Sequence, residues 1–210
     1  MKKPLLLVLT LFLTQFAFGQ QEKDLVRESF ENYKSAVLEN RGSDAPNFLS
    51  SRTLSYYDGI IHHAIKSDSA TIDDLPFFDK FTVLLIRHYI PKEEIVTMDA
   101  KTFLKYSVEK DLFGKESYIN SKIGEVKISG KFAQGKLRVN NKESTISYDF
   151  YKEDGEWKFD LLSVMKLSTG YIMDFIDSSD YTINEFIFAA LLRLDGKEPK
   201  PTIWQPIIEM

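Results

Sequence analysis

Residues 144–166 read STISYDFYKEDGEWKFDLLSVMK, and no other stretch of the chain restricts the fold as strongly. Ile146, Tyr148 and Phe150 alternate with Ser147 and Asp149, while Trp157, Phe159 and Leu161 alternate with Lys158 and Asp160. A period of two belongs to a strand covered on one face. Lys152, Glu153, Asp154 and Gly155 lie between the runs; an acidic residue followed by glycine suits a hairpin loop of three to five residues, because glycine reaches positive φ without steric cost. The expectation is two long strands folded back on each other. A slip of one residue would turn Tyr148, Phe150, Trp157 and Phe159 to water, so turn chemistry and burial select one register.

Upstream, residues 122–129 and 136–140 alternate Val126, Ile128, Leu137 and Val139 against polar or charged neighbours, which predicts two more strands and an antiparallel sheet. Their turn falls at Ser129-Gly130 or at Gln134-Gly135, and propensity does not choose between them. Earlier in the chain the period is that of helices. Residues 24–40 place Val26, Phe30, Tyr33 and Val37 on one face and stop at Arg41-Gly42. Residues 47–66 do the same with Leu54, Tyr57, Ile61, Ala64 and Ile65, with Pro46 near the first turn. A third helix opens at Asp73-Asp74-Leu75-Pro76 and carries Phe77, Phe78, Phe81, Leu84, Leu85 and His88 as far as Pro91, which forbids continuation. Asp99 caps a fourth, running through Leu112 to Gly114. After the sheet come a short helix at 168–176 and a last helix opened by the capping box Thr182-Ile183-Asn184-Glu185 and closed at Asp195-Gly196. Trp204, among Pro199, Pro201 and Pro206, is expected to dock on the body rather than stay in water.

The run Phe-Tyr-Lys-Glu-Asp-Gly-Glu-Trp-Lys at 150–158, preceded by Gly130-Lys131-Phe132-Ala133 and by helices, resembles the nuclear-transport-factor-2-like superfamily of cystatin-like α+β rolls. The likeness covers residues 24–166. It implies N-terminal helices packed on a curved antiparallel β-sheet around a conical cavity, used for catalysis in some members and for binding in others. It also implies a homodimer joined through the sheet. Residues 167–210 extend that minimal roll with C-terminal helices and a docked proline-rich tail of the same domain. Fold of this kind does not decide function.

Lys2 and Lys3 precede an apolar run at 5–18 that ends in Ala17-Phe18-Gly19. The run is shorter than the ~20 apolar residues of a membrane span and closes on small residues, so residues 1–19 read as a secretory signal peptide, against the rival reading of an uncleaved anchor. The expected protein is exported, periplasmic or extracellular, with no stable membrane span after cleavage. The chain has no cysteine, which removes disulfides, thiolate nucleophiles and sulfur metal centres. A net charge of −4 without a Lys/Arg stripe argues against nucleic acid as partner.

No His-Glu-x-x-His, calcium loop, Gly-x-Ser-x-Gly elbow or phosphate-binding glycine loop occurs, so neither metal nor cofactor is expected. The histidines are the natural acid–base candidates. His88 lies mid-face among Phe77, Phe81, Leu84 and Leu85, either as a working base or as a neutral side chain bonded to a backbone carbonyl. Asp58 and His62 sit four apart, either as a carboxylate-oriented base with Tyr57 as donor or as a surface contact. His63 points about 100° further round and reads as solvated. Tyr57, Phe81, His88, Tyr148 and Phe150 are the expected lining of an apolar pocket; the rival reading is that the aromatics fill the core. Lys136, Arg138 and Lys142 read as a wetted strand edge. The expected function is non-catalytic binding of a small apolar ligand or a protein partner. The alternative is a cavity enzyme of isomerase, dehydratase or hydrolase type using an Asp/His pair.

Overall fold

The computed structural model describes residues 3–112 and 114–208, with side chains of the first helix from Gly19 onward. The chain is α+β. Helices α1 (Lys3–Leu38), α2 (Ser51–Lys66), α3 (Ser69–Asp73), α4 (Phe77–Tyr89), α5 (Lys92–Ile95) and α6 (Ala100–Glu109) precede a curved antiparallel sheet of β1 (Ser121–Ser129), β2 (Phe132–Val139), β3 (Lys142–Glu153) and β4 (Glu156–Asp160), and α7 (Leu162–Asp177) and α8 (Ile183–Asp195) follow it. The strands pair in chain order, β1-β2-β3-β4. Among the described residues no helix is long and apolar enough to cross a membrane. The expected signal segment falls on residues whose side chains lie outside those described.

The late hairpin forms in the register its pattern selects. Phe150 faces Phe159 and Lys152 faces Trp157, while Glu153 faces Glu156. The loop is therefore the two residues Asp154 and Gly155, at φ 50° and 87°, tighter than the expected three to five. Two left-handed residues in succession match the right-handed twist of the flanking strands. Asn140-Asn141, at φ 50° and 62°, makes the same turn between β2 and β3. Between β1 and β2 the turn is Gly130-Lys131, with Ser129 facing Phe132. Gly135, the other turn candidate, sits inside β2; a Cβ there would lie 2.5 Å from Ile123 Cγ2 and 3.1 Å from the Phe150 ring, so a bare backbone lets those side chains close over it. Irregular pairing after Ile123 and after Lys136 bends the sheet.

Several boundaries differ from the sequence reading, each for a local reason. The second long strand ends at Asp160 and the chain turns at once into α7, which also absorbs the short helix expected at 168–176. Helix α1 stops at Asn40 (φ 60°), where Arg41 N–H bonds to the Ala36 carbonyl at 2.8 Å and Asn40 N–H to that of Val37 at 3.2 Å. Gly42 is required instead by packing, since a Cβ would meet the Lys105 carbonyl at 2.6 Å. Pro46 opens a separate 3-10 turn (Ala45–Phe48), and α2 begins only after Ser50, whose hydroxyl accepts from Thr53 N–H. Lys136 and Arg138 lie on β2, an interior strand, whereas Lys142 begins β3, whose residues before Asp149 pair with β2 alone, so of the three only Lys142 stands at an open strand edge.

Helix α1 lies on the inner face of the sheet, with the Phe30 ring 5.5 Å edge-on to Phe159 and Tyr33 5.3 Å from Phe159. Phe30, Tyr33, Phe103, Phe150 and Phe159 are fully buried, each worth roughly 2–3 kcal/mol of transfer free energy. Glu22 pins the same helix, accepting from Lys152 Nζ at 2.7 Å and Trp157 Nε1 at 2.9 Å. At the far side Arg87 ties down the C-terminal segment. Its guanidinium donates to the carbonyls of Ala64 (2.7 Å), His63 (3.2 Å), Ser67 (2.6 Å) and Ile203 (3.1 Å). Ile207 N–H reaches the Ile65 carbonyl at 2.9 Å, and Trp204 stacks on Phe188 with centroids 6.2 Å apart.

Candidate functional site

A cleft of about 390 Å³ opens where the sheet, the helices before it and the helix after it meet. Each wall comes from a different element. Tyr148 stands on β3; Tyr57 comes from α2, and Phe78, Phe81 and Thr82 from α4; Ser117 and Tyr118 come from the 3-10 turn before β1 (Lys115–Tyr118); Leu161, Val164, Met165 and Ser168 close the last side. The volume falls within the range of small-molecule sites, and the lining is mostly aromatic and aliphatic with a few hydroxyls.

Behind Leu161 in the cleft wall lies a buried polar node. Asp160, at the end of β4, is 2% exposed and accepts from Ser50 Oγ and Thr53 Oγ1 at 3.0 Å each. Thr53 Oγ1 in turn accepts from Leu161 N–H at 3.1 Å. The node fastens the first turn of α2 to the junction of β4 and α7, and thereby sets the separation of Tyr57 from Val164 and Met165. Ser50 N–H also bonds to the Phe159 carbonyl at 2.9 Å.

Of the residues expected to line a pocket, Tyr57, Phe81 and Tyr148 come together in the cleft, and Phe150 and His88 do not. Phe150 is fully buried behind the lining, its ring 5.5 Å from Phe159. His88 sits on the far side of α4, where Nε2 lies 3.3 Å from Asp195 Oδ1 at the end of α8. That carboxylate also accepts from Lys197 N–H at 2.9 Å and is held below the ordinary range by these bonds, which outweigh its burial. His88 therefore ties down the C-terminal extension rather than facing a ligand, and its partner is a carboxylate instead of a backbone carbonyl.

The pairing of Asp58 with His62 does not assemble a base. Asp58 Oδ1 accepts from Ala100 N–H at 2.8 Å, supplementing the cap of α6, where Asp99 accepts from Thr102 N–H at 2.8 Å. His62 is exposed, its ring edge-on to His63 with centroids 6.4 Å apart. His63, expected in solvent, is half-buried, with Nδ1 2.8 Å from Ser67 Oγ. Among the described residues no group of three His, Cys, Asp or Glu side chains is placed to hold a metal.

Electrostatically the cleft is uniform. Among the described residues its lining contains no Lys, Arg, His, Asp or Glu. Burial pushes the phenols of Tyr57, Tyr118 and Tyr148 above their ordinary value, and that of Tyr33 behind them, so all stay protonated at neutral pH. The Tyr33 and Tyr118 rings pack edge-on with centroids 5.8 Å apart, and Tyr57 OH points to Met165 Sδ at 3.9 Å. Sequence reasoning missed Ser117 and Tyr118 because they lie on a 3-10 turn that it did not read, and Thr82 because a polar residue was not counted on the apolar face of α4. It also missed the α7 wall, having read residues 162–166 as strand. Comparison with protein-family models, curated proteins and solved structures finds no match for this chain.

Proposed function

We propose that this protein is an exported, non-catalytic α+β roll of the nuclear-transport-factor-2-like kind that holds a small apolar ligand in the cleft between β3, α2, α4 and α7. The observation that carries the reading is the cleft itself: about 390 Å³ with Tyr57, Phe81, Tyr148 and Val164 converging from four elements. The placement of Asp58, His62 and His88 away from it supports binding over acid–base chemistry, since a general base must reach the proton it takes. Export rests on the apolar run at 5–18 and its Ala17-Phe18-Gly19 ending. Homodimerisation through the sheet belongs to the same reading, and light scattering on the purified chain tests it.

The direct test uses a neutral fluorescent probe, N-phenyl-1-naphthylamine. Saturable fluorescence enhancement by the wild type, lost in Val164→Trp with an unchanged circular dichroism spectrum, is the expected result. An absence of binding, or binding that Val164→Trp leaves intact, removes the cleft as the site.

A further inference from the structure

The chemistry of the lining says more than that the ligand is apolar. Six of the lining residues carry a hydroxyl: Tyr57, Thr82, Ser117, Tyr118, Tyr148 and Ser168. The three aliphatic ones already donate to the carbonyl of a preceding turn: Thr82 to Phe78 at 2.7 Å, Ser117 to Gly114 at 2.9 Å, and Ser168 to Val164 at 3.0 Å. Tyr57 is engaged with Met165, and Tyr118 is buried with its ring edge-on to Tyr33. Among the described residues Tyr148 has no protein hydrogen-bond partner for its hydroxyl, and unlike the buried Tyr118 it is half-buried at the cleft. Its ring is fixed between Phe30 (5.8 Å) and Phe159 (5.3 Å), so the phenol is presented from a rigid base. A ligand that covers this donor without accepting from it leaves a costly unmade bond.

The absence of charge is the second half of the argument. An anionic group brought into this cleft finds no cation in the lining to offset its desolvation, which amounts to several kcal/mol per ion. The lysine of α7, Lys166, lines the adjoining groove with Pro76, Phe77 and Asp79, on the far side of the Phe78 and Met165 that the two share.

We propose, building on the binding function above, that the cleft selects an uncharged amphipathic molecule bearing an oxygen acceptor, such as a ketone, aldehyde or ester, seats that oxygen on the Tyr148 hydroxyl, and rejects the carboxylate of the same chain length. Tyr148 is thus the specificity-determining residue, while Phe78, Phe81, Leu161 and Val164 grip the hydrocarbon.

Displacement of N-phenyl-1-naphthylamine by 2-decanone, decane and decanoate at pH 7.5 tests this on the full mature chain. We expect 2-decanone to displace the probe at least about a hundredfold more effectively than decanoate, the ratio that a few kcal/mol of uncompensated desolvation produces. Tyr148→Phe keeps the cavity and the ring packing; it should weaken 2-decanone roughly three- to tenfold and leave decane unchanged. Ser168→Lys, which sets a cation in the α7 wall, should shift the preference toward decanoate. Decanoate binding as well as 2-decanone, or a Tyr148→Phe variant that retains full ketone affinity, overturns the selectivity while leaving the cleft as a binding site. Failure of the probe itself to bind removes the underlying reading, and the selectivity with it.

Discussion

At the scale of single residues, the side chains that fasten the fold are polar ones whose partners lie far away in sequence. Glu22 is an unremarked glutamate on the first helix, yet its carboxylate receives Lys152 and Trp157 from the last hairpin. Those two hydrogen bonds, the lysine's first, hold its pKa below the usual glutamate value. A depressed acid stabilises the fold at pH values above its unfolded pKa, about 4.3, and the contribution drains away as pH falls through the folded value. Glu22→Gln should therefore lower stability by about 1 kcal/mol in urea titrations at pH 7, and the two proteins should converge near pH 3. A gap that stays constant between those pH values would assign the loss to shape rather than charge. Asp160 is the buried counterpart. Alternation had marked it as an outward-facing strand residue; it is instead the acceptor for Ser50 and Thr53, because the strand ends there and the chain folds back on α2. Nothing in a one-dimensional pattern distinguishes a strand's last residue from its middle ones.

At the scale of elements, the late hairpin turn was legible in the sequence and helix boundaries were the least so. The acidic-glycine pair at 154–155 builds a two-residue turn with positive φ throughout, and so does the Asn-Asn pair at 140–141, which the alternation at 136–140 had carried on as strand. Gly155, at φ 87°, tolerates no side chain cheaply, so Gly155→Ala should cost about 1–2 kcal/mol. Asn141 carries a mild version of the same strain at φ 62°, and Asn141→Gly should add about 0.5 kcal/mol. Chemical denaturation of the two variants side by side checks the opposite signs; a loss in both would mean that the asparagine side chain itself holds the turn. The capping box at Thr182 and Glu185 also formed where its spacing places it, with Thr182 Oγ1 accepting from Glu185 N–H at 3.3 Å. The start of α7 was not legible. Leu161, Leu162, Val164 and Met165 suit either a strand or a helix when taken alone, and the choice is made by the Asp160 node and by the need to cover the open end of the sheet.

At the scale of the whole molecule, the C-terminal extension is joined to the body chiefly through α4. Arg87 is the centre of that joint: four carbonyls from α2 and the tail surround a guanidinium whose burial draws its pKa down to about 10, leaving it charged at neutral pH. The planar fork serves several acceptors at once, and a lysine ammonium on a single flexible stem does not reproduce that geometry. Arg87→Lys should cost about 2–3 kcal/mol and expose residues 197–208 to limited proteolysis well before the body is cut; cleavage at an unchanged rate would show that Trp204 and Ile207 hold the tail unaided. The amino-acid sequence by itself determined what local chemistry can dictate. The α+β class, the register of the late hairpin, the helical faces and the caps at Asp99 and Thr182 follow from side-chain period and cap chemistry. Only the tertiary structure decided what those elements enclose. The cleft, its lack of charge and the isolation of Tyr148 arise where β3, α2, α4 and α7 meet, and a side chain's direction across such a junction depends on packing against residues about a hundred positions away, which no local period encodes.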